Sequence, residues 1–108
     1  MKQKKRIAPK RAKPVVHGGI RYEALMWGLE RDLGQNGGYV IAFDEKNGEE
    51  IWLQKIYHVA YDNGMESDKQ DVFITDLILD SGGDALLITD ERGRRYSMSL
   101  SDRHVTER

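Results

Sequence analysis

The chain has no cysteine. That excludes disulfides, thiolate nucleophiles and zinc–cysteine sites, and it fits a reducing cytoplasm, where the protein is expected to reside. Long apolar runs are missing too. The longest reach four to five residues, as in Tyr39-Val-Ile-Ala-Phe43, well short of the roughly 20 that a membrane-spanning helix needs. No membrane association is expected. An apolar signal core is also lacking, because the N-terminal charges run into Ala8-Pro-Lys-Arg-Ala-Lys-Pro14, so export by that route is not expected. Histidine is scarce. His17, His58 and His104 are the only three, and none has a second ligand-type residue at helical metal spacing. With 108 residues, the chain can support one modest core and not two.

What is present is unevenly distributed. Residues 1–14 hold both prolines and seven cations (Lys2, Lys4, Lys5, Arg6, Lys10, Arg11 and Lys13) with no acid. The remaining residues hold ten basic and eighteen acidic side chains. A net charge of about +7 on so short and apolar-poor a segment predicts a disordered basic arm over 1–14, followed by one small β domain over 15–108. Such an arm can neutralise phosphates in a salt-dependent, sequence-blind way. The plainer reading, to be preferred because charge blocks are commonly tails with no dedicated partner, is a solubilising tail drawn weakly to its own acidic domain.

After residue 14 apolar residues recur mostly with a period of two, the signature of strands with one buried face. Tyr39, Ile41 and Phe43 alternate with Val40, Ala42 and Asp44. Ile51, Leu53, Tyr57 and Val59 share a face interrupted by Lys55, and Phe73, Thr75, Leu77 and Leu79 share another. Tyr96, Met98 and Leu100 alternate cleanly with Arg95, Ser97 and Ser99. Asp44-Glu-Lys-Asn-Gly48, Ser81-Gly-Gly-Asp84 and Asp90-Glu-Arg-Gly93 supply turn chemistry, with Gly48 and Gly93 expected at positive φ. Strands are predicted near 20–27, 38–44, 50–59, 72–79, 85–89 and 94–100. The expected fold is all-β: a compact antiparallel meander of about six strands forming a curved sheet or small barrel. The stretch 24–33 is ambiguous. Leu25, Leu29 and Leu33 fall at helical spacing with Gly34 as a C-cap, but Gly28 sits mid-helix. A strand through Trp27 and a long loop to Gly38 is expected, with a short helix as the alternative.

The run 38-GYVIAFDEKNGEEIW-52 has the pattern A-F-D-x-x-x-G-x-x-x-W at Ala42, Phe43, Asp44, Gly48 and Trp52. It resembles the repeat of pyrroloquinoline-quinone-type β-propellers. The resemblance implies that Asp44 caps the turn between the third and fourth strands of a blade and that Trp52 packs between neighbouring blades. From its place in the strand pair after the turn, Trp52 is expected in the main core. Asp84-Ala-Leu-Leu-Ile-Thr-Asp90 and Gly93-Arg-Arg-Tyr-Ser-Met-Ser-Leu-Ser-Asp102 echo it without the following Gly and Trp. About 1.5 blades cannot close a propeller, which needs roughly four or more. As a whole, with 33-LGQNGG-38 before the repeat and 70-QDVFIT-75 after it, the chain resembles a group of small bacterial proteins that carry one partial repeat of this type. That group implies no activity, cofactor or metal.

No catalytic or metal set is expected. His58 stands on a strand without a nucleophile motif beside it. Asp62-Asn63-Gly64 with Glu66, Asp68 and Asp71 is acidic but lacks the spacing of a calcium loop. The glycine-rich 33–38 stretch lacks the Lys-Ser/Thr of a phosphate loop and is expected to be a flexible or tightly bent connector. Two functions remain. One is a non-catalytic binding module using an exposed sheet face or edge, with Tyr22, Trp27, Trp52, Tyr57 and Tyr61 as available aromatics. The other is a nucleic-acid-associated protein using the arm, with Arg92, Arg94 and Arg95 as a second patch blunted by Asp90 and Glu91.

Overall fold

The structure, a computed structural model, describes residues 9–61 and 70–108. The described residues form eight strands: β1 Val15–His17, β2 Ile20–Leu25, β3 Tyr39–Asp44, β4 Glu50–Lys55, β5 Ile74–Leu79, β6 Ala85–Asp90, β7 Arg95–Ser99 and β8 Val105–Glu107. They form two four-stranded antiparallel sheets in the orders β1-β2-β3-β4 and β5-β6-β7-β8. The expectation of about six strands in one curved sheet or barrel is corrected here. The six predicted strands exist, but they divide three and three between two open sheets. Each sheet also gains a three-residue edge strand, too short to show a period.

Turn residues set these pairings. At β3–β4 the Asp44 carboxylate accepts the Lys46 amide at 2.8 Å, and the Gly48 amide donates to the Asp44 carbonyl at 2.7 Å. Gly48 and Gly93 have φ of 75° and 83°, the left-handed region their turns require. Strand β2 ends at Leu25, and the ambiguous stretch becomes a single 3-10 turn over Gly28–Arg31, closed by Asp32 at φ 59°.

One core joins the sheets. Tyr22, Ala24, Val40 and Ala42 of the first meet Leu77, Leu86, Ile88, Tyr96 and Met98 of the second, and β5 lies against β1 and β2. Two bulges re-aim the strands. Between β3 and β4 the pairing passes from Ala42↔Trp52 to Phe43↔Glu50, leaving Ile51 as the extra residue. Ile51 is consequently 49% exposed, and it is Trp52 that turns to the core. The expected face of Ile51, Leu53, Tyr57 and Val59 therefore breaks up: Ile51 points out and Leu53 is half-buried, while Tyr57 and Val59, beyond the end of β4, still pack inward. Trp52 is half-buried at the core margin, 5.9 Å from Tyr22, with the Arg103 guanidinium 5.1 Å from its ring. Between β5 and β6 the pairing skips Thr75, so Ile74 and Leu77 both face inward, and the stripe expected from Phe73 breaks at that point.

Candidate functional site

Strand β4 stops at Lys55, short of the predicted 59, because a side chain takes over from a neighbouring strand. Gln35 donates to the Tyr57 carbonyl at 2.9 Å and accepts the Val59 amide at 2.8 Å, so residues 57–59 follow a glutamine instead of a ladder. Asn36 acts similarly on its other side. Its side-chain oxygen accepts the Leu29 amide, its side-chain nitrogen donates to Asp71, and its backbone amide donates to the Tyr61 hydroxyl. That hydroxyl in turn donates to Asp71 at 2.6 Å. Burial, reinforced by the bond to Asp71, pushes the Tyr61 phenol up to about 12.

The glycines of this segment serve close approach. A β-carbon on Gly28 would lie 2.2 Å from the Gln35 carbonyl oxygen, and one on Gly37 would lie 2.2 Å from that of Val72. The 33–38 stretch is thus a tightly bent latch, buried from Gln35 to Gly38, that ties the long β2–β3 connection to the chain before β5. Of the two readings of this stretch, the bent connector describes it and the flexible one does not.

The latch holds the chain around Trp27 outward. The Trp27 ring lies edge-on to Phe73 at 5.4 Å, and the residue is 41% exposed. Leu25, Met26 and Trp27 floor a cleft of about 410 Å³, and Arg11, Glu30 and Arg31 stand around it. The two arginines are fixed in place. Arg11 bonds Glu23 at 2.6 Å, and Arg31 reaches both oxygens of Glu50 at 2.9 and 3.1 Å. Exposed pairs of this kind add little stability, on the order of 0–1 kcal/mol. They do keep long side chains off the apolar floor. An apolar floor with a polar, paired rim can take up an apolar side chain and orient what carries it.

The residues singled out from sequence fall in separate places. Asp44, Gly48 and Trp52 share the β3–β4 hairpin, while Gly93 belongs to the β6–β7 turn. Lys2, Lys4, Lys5 and Arg6 lie outside the described residues, as do Asp62, Asn63, Gly64, Glu66 and Asp68. Lys10 and Lys13 are exposed, Arg11 is paired to Glu23, and Ala12 between them is buried in the core at 4% exposure. Of the five aromatics, Tyr22 is core, Trp52 and Tyr57 pack against it, and Tyr61 is bonded to Asp71. Trp27 is the most exposed of them. Sequence reading did not single out Met26, Glu30 or Arg31. The available signal was a tryptophan followed at once by glycine and a charged segment.

The carboxylates near the turns have structural employment. Asp90, 1% exposed, accepts the Arg92 and Arg94 amides on one oxygen, and the Tyr96 hydroxyl and Arg94 Nε on the other. Burial and that bond push the Tyr96 phenol up to about 12. Asp102 is held below the usual carboxylate range, chiefly by the His104 amide and then by Ser99. Among the described residues no group of three His, Asp or Glu side chains could hold a metal, and no helix is long and apolar enough to cross a membrane. No family model matches the chain, and a search of curated proteins finds no match.

Proposed function

We propose that the chain is a non-catalytic, cytoplasmic binding module, and that its cleft at Trp27 receives an apolar side chain of a partner polypeptide. The observation that carries this reading is a tryptophan 41% exposed whose neighbouring backbone, at Gly28 and Leu29, is held by hydrogen bonds to Asn36. Large aromatics on preorganised backbone are the usual anchors of protein interfaces, because little freedom remains to be lost on binding. The resemblance of 38–52 to a propeller repeat is compatible with the reading, since the two sheets are like-ordered four-stranded meanders.

The test is a comparison of proteins captured by the full chain, by Trp27→Ser and by Ile78→Ser, the last altering an exposed apolar residue elsewhere. A partner retained by Ile78→Ser and lost by Trp27→Ser, then reconstituted from purified components, is the expected result. Identical capture by all three would refute the reading. A second reading, nucleic-acid association through the basic arm, rests on seven cations facing an acidic remainder. Because Ala12 is core, that reading is tested by replacing Lys2, Lys4, Lys5 and Arg6 with Gln. A gel shift that survives the replacement at physiological salt counts against it.

A further inference from the structure

A second cleft shares no lining residue with the one at Trp27. The β6–β7 turn brings Arg92 and Arg94, and the segment after β4 brings His58, into the lining of an open cavity of about 410 Å³. None of the described residues lining it is acidic. Lys55 stands beside it, with its ammonium nitrogen 3.1 Å from His58 Nδ1. We propose that this cleft binds a phosphate dianion, either free or as the head of a small monoester.

Four observations lead there. The acid expected to blunt this patch, Asp90, is turned inward and occupied by two turn amides, the Tyr96 hydroxyl and Arg94 Nε. Glu91 directs one carboxylate oxygen to the Phe73 amide at 2.9 Å. The bond from Arg94 to Asp90 uses Nε, so its two terminal nitrogens, like the whole Arg92 guanidinium, form no ion pair among the described residues. The same amide bonds fix the turn backbone from which both arginines reach the lining of the cleft, and their planar forks suit phosphate oxygens.

The remainder of the cavity selects the size and kind of ligand. Val59, Ala60 and Val72 give it an apolar side against which the body of an ester can rest. Its volume falls within the roughly 300–1,000 Å³ of small-molecule sites. The domain after residue 14 has ten basic and eighteen acidic side chains, so a long polyanion is repelled over most of its length while a single phosphate is not.

The experiment is an NMR titration of the full chain with ribose 5-phosphate, inorganic phosphate and ribose. Saturable shifts of the Val59, Ala60, Arg92 and Arg94 amides with the ester or with phosphate, and none with ribose, are expected. Which of the two binds more tightly tells whether the site takes a monoester or the free ion. Arg92→Ala should weaken that binding about tenfold to a hundredfold, the loss of a charge-assisted bond, with an unchanged melting temperature. No saturation by about 10 mM ligand, shifts confined to residues 1–14, or equal binding by Arg92→Ala would each overturn the proposal. So would binding at this cleft of a short oligonucleotide when neither small phosphate binds.

Discussion

The two sheets share a strand order and differ in their connections. In the first, β2 reaches β3 through thirteen residues, 26–38, that fold into a latch and raise Trp27 beside a cleft. In the second, every connection is a short turn built on an aspartate: Asp80, Asp90 or Asp102. A meander of hairpins is mostly scaffold, and a surface feature arises where one connection is long enough to carry its own hydrogen bonds. The turns themselves also differ in depth. Asp44 caps an exposed hairpin by accepting the Lys46 amide, while Asp90 gathers four donors at 1% exposure and reaches the core through Tyr96.

The largest effect expected from this contrast is at Gly37. A β-carbon there meets the Val72 carbonyl oxygen at 2.2 Å, backbone against backbone. Gly37→Ala should cost about 3 kcal/mol or more in denaturant melts, because nothing flexible can yield. A loss below about 1 kcal/mol would mean that the latch is adaptable and the contrast with the second sheet is overstated.

Next in size is the pair of turn aspartates. Asp90→Ala leaves the Tyr96 hydroxyl and two amides without their acceptor and should cost about 3 kcal/mol, whereas Asp44→Ala should cost about 1 kcal/mol. Equal losses in parallel urea melts would erase the distinction between a turn wired to the core and one at its edge.

The smallest effect is confined to alkaline pH and touches both regions. Tyr61 in the latch network and Tyr96 in the second sheet are each pushed up to about 12, chiefly by burial and then by a carboxylate partner; Tyr57 is pushed up further. An unfolded tyrosine titrates near 10. The native state therefore holds protons that the unfolded state releases across that window. The contribution is complete below about pH 10 and is lost as pH rises through about 12. Stability curves for Tyr61→Phe and Tyr96→Phe should each show a shallower alkaline fall than the wild type. A fall of unchanged steepness in both would show that these phenols are solvated.

Much of this architecture was legible in the chain. Alternation at 95–100 and turn residues at 44–48 and 90–93 located the long strands to within a few residues, because a half-buried pleat imposes period two. What escaped depended on partners distant in sequence. The bulges at Ile51 and Thr75 invert a face without altering composition. The end of β4 at Lys55 was set by an amide side chain twenty residues earlier, Gln35. The cleft at Trp27 was hidden for the same reason: glycines 28 and 37 signal looseness by composition, and only the carbonyls they approach reveal tight contact. The anion cleft was half visible, as an arginine cluster whose neighbouring acid turned out to point inward.

Every strand in both sheets pairs with its immediate sequence neighbour, which has a bearing on how the chain leaves the ribosome. The first sheet can complete its ladders once Lys55 has emerged, with no need of anything downstream. Its inner face, Tyr22, Ala24, Val40 and Ala42, then waits for β5 to β7 before it is shielded. At roughly 5–20 residues per second, that interval is on the order of seconds. During vectorial synthesis the nascent first half is thus a zipped sheet with one greasy side, and this is the interval in which a chaperone would engage it.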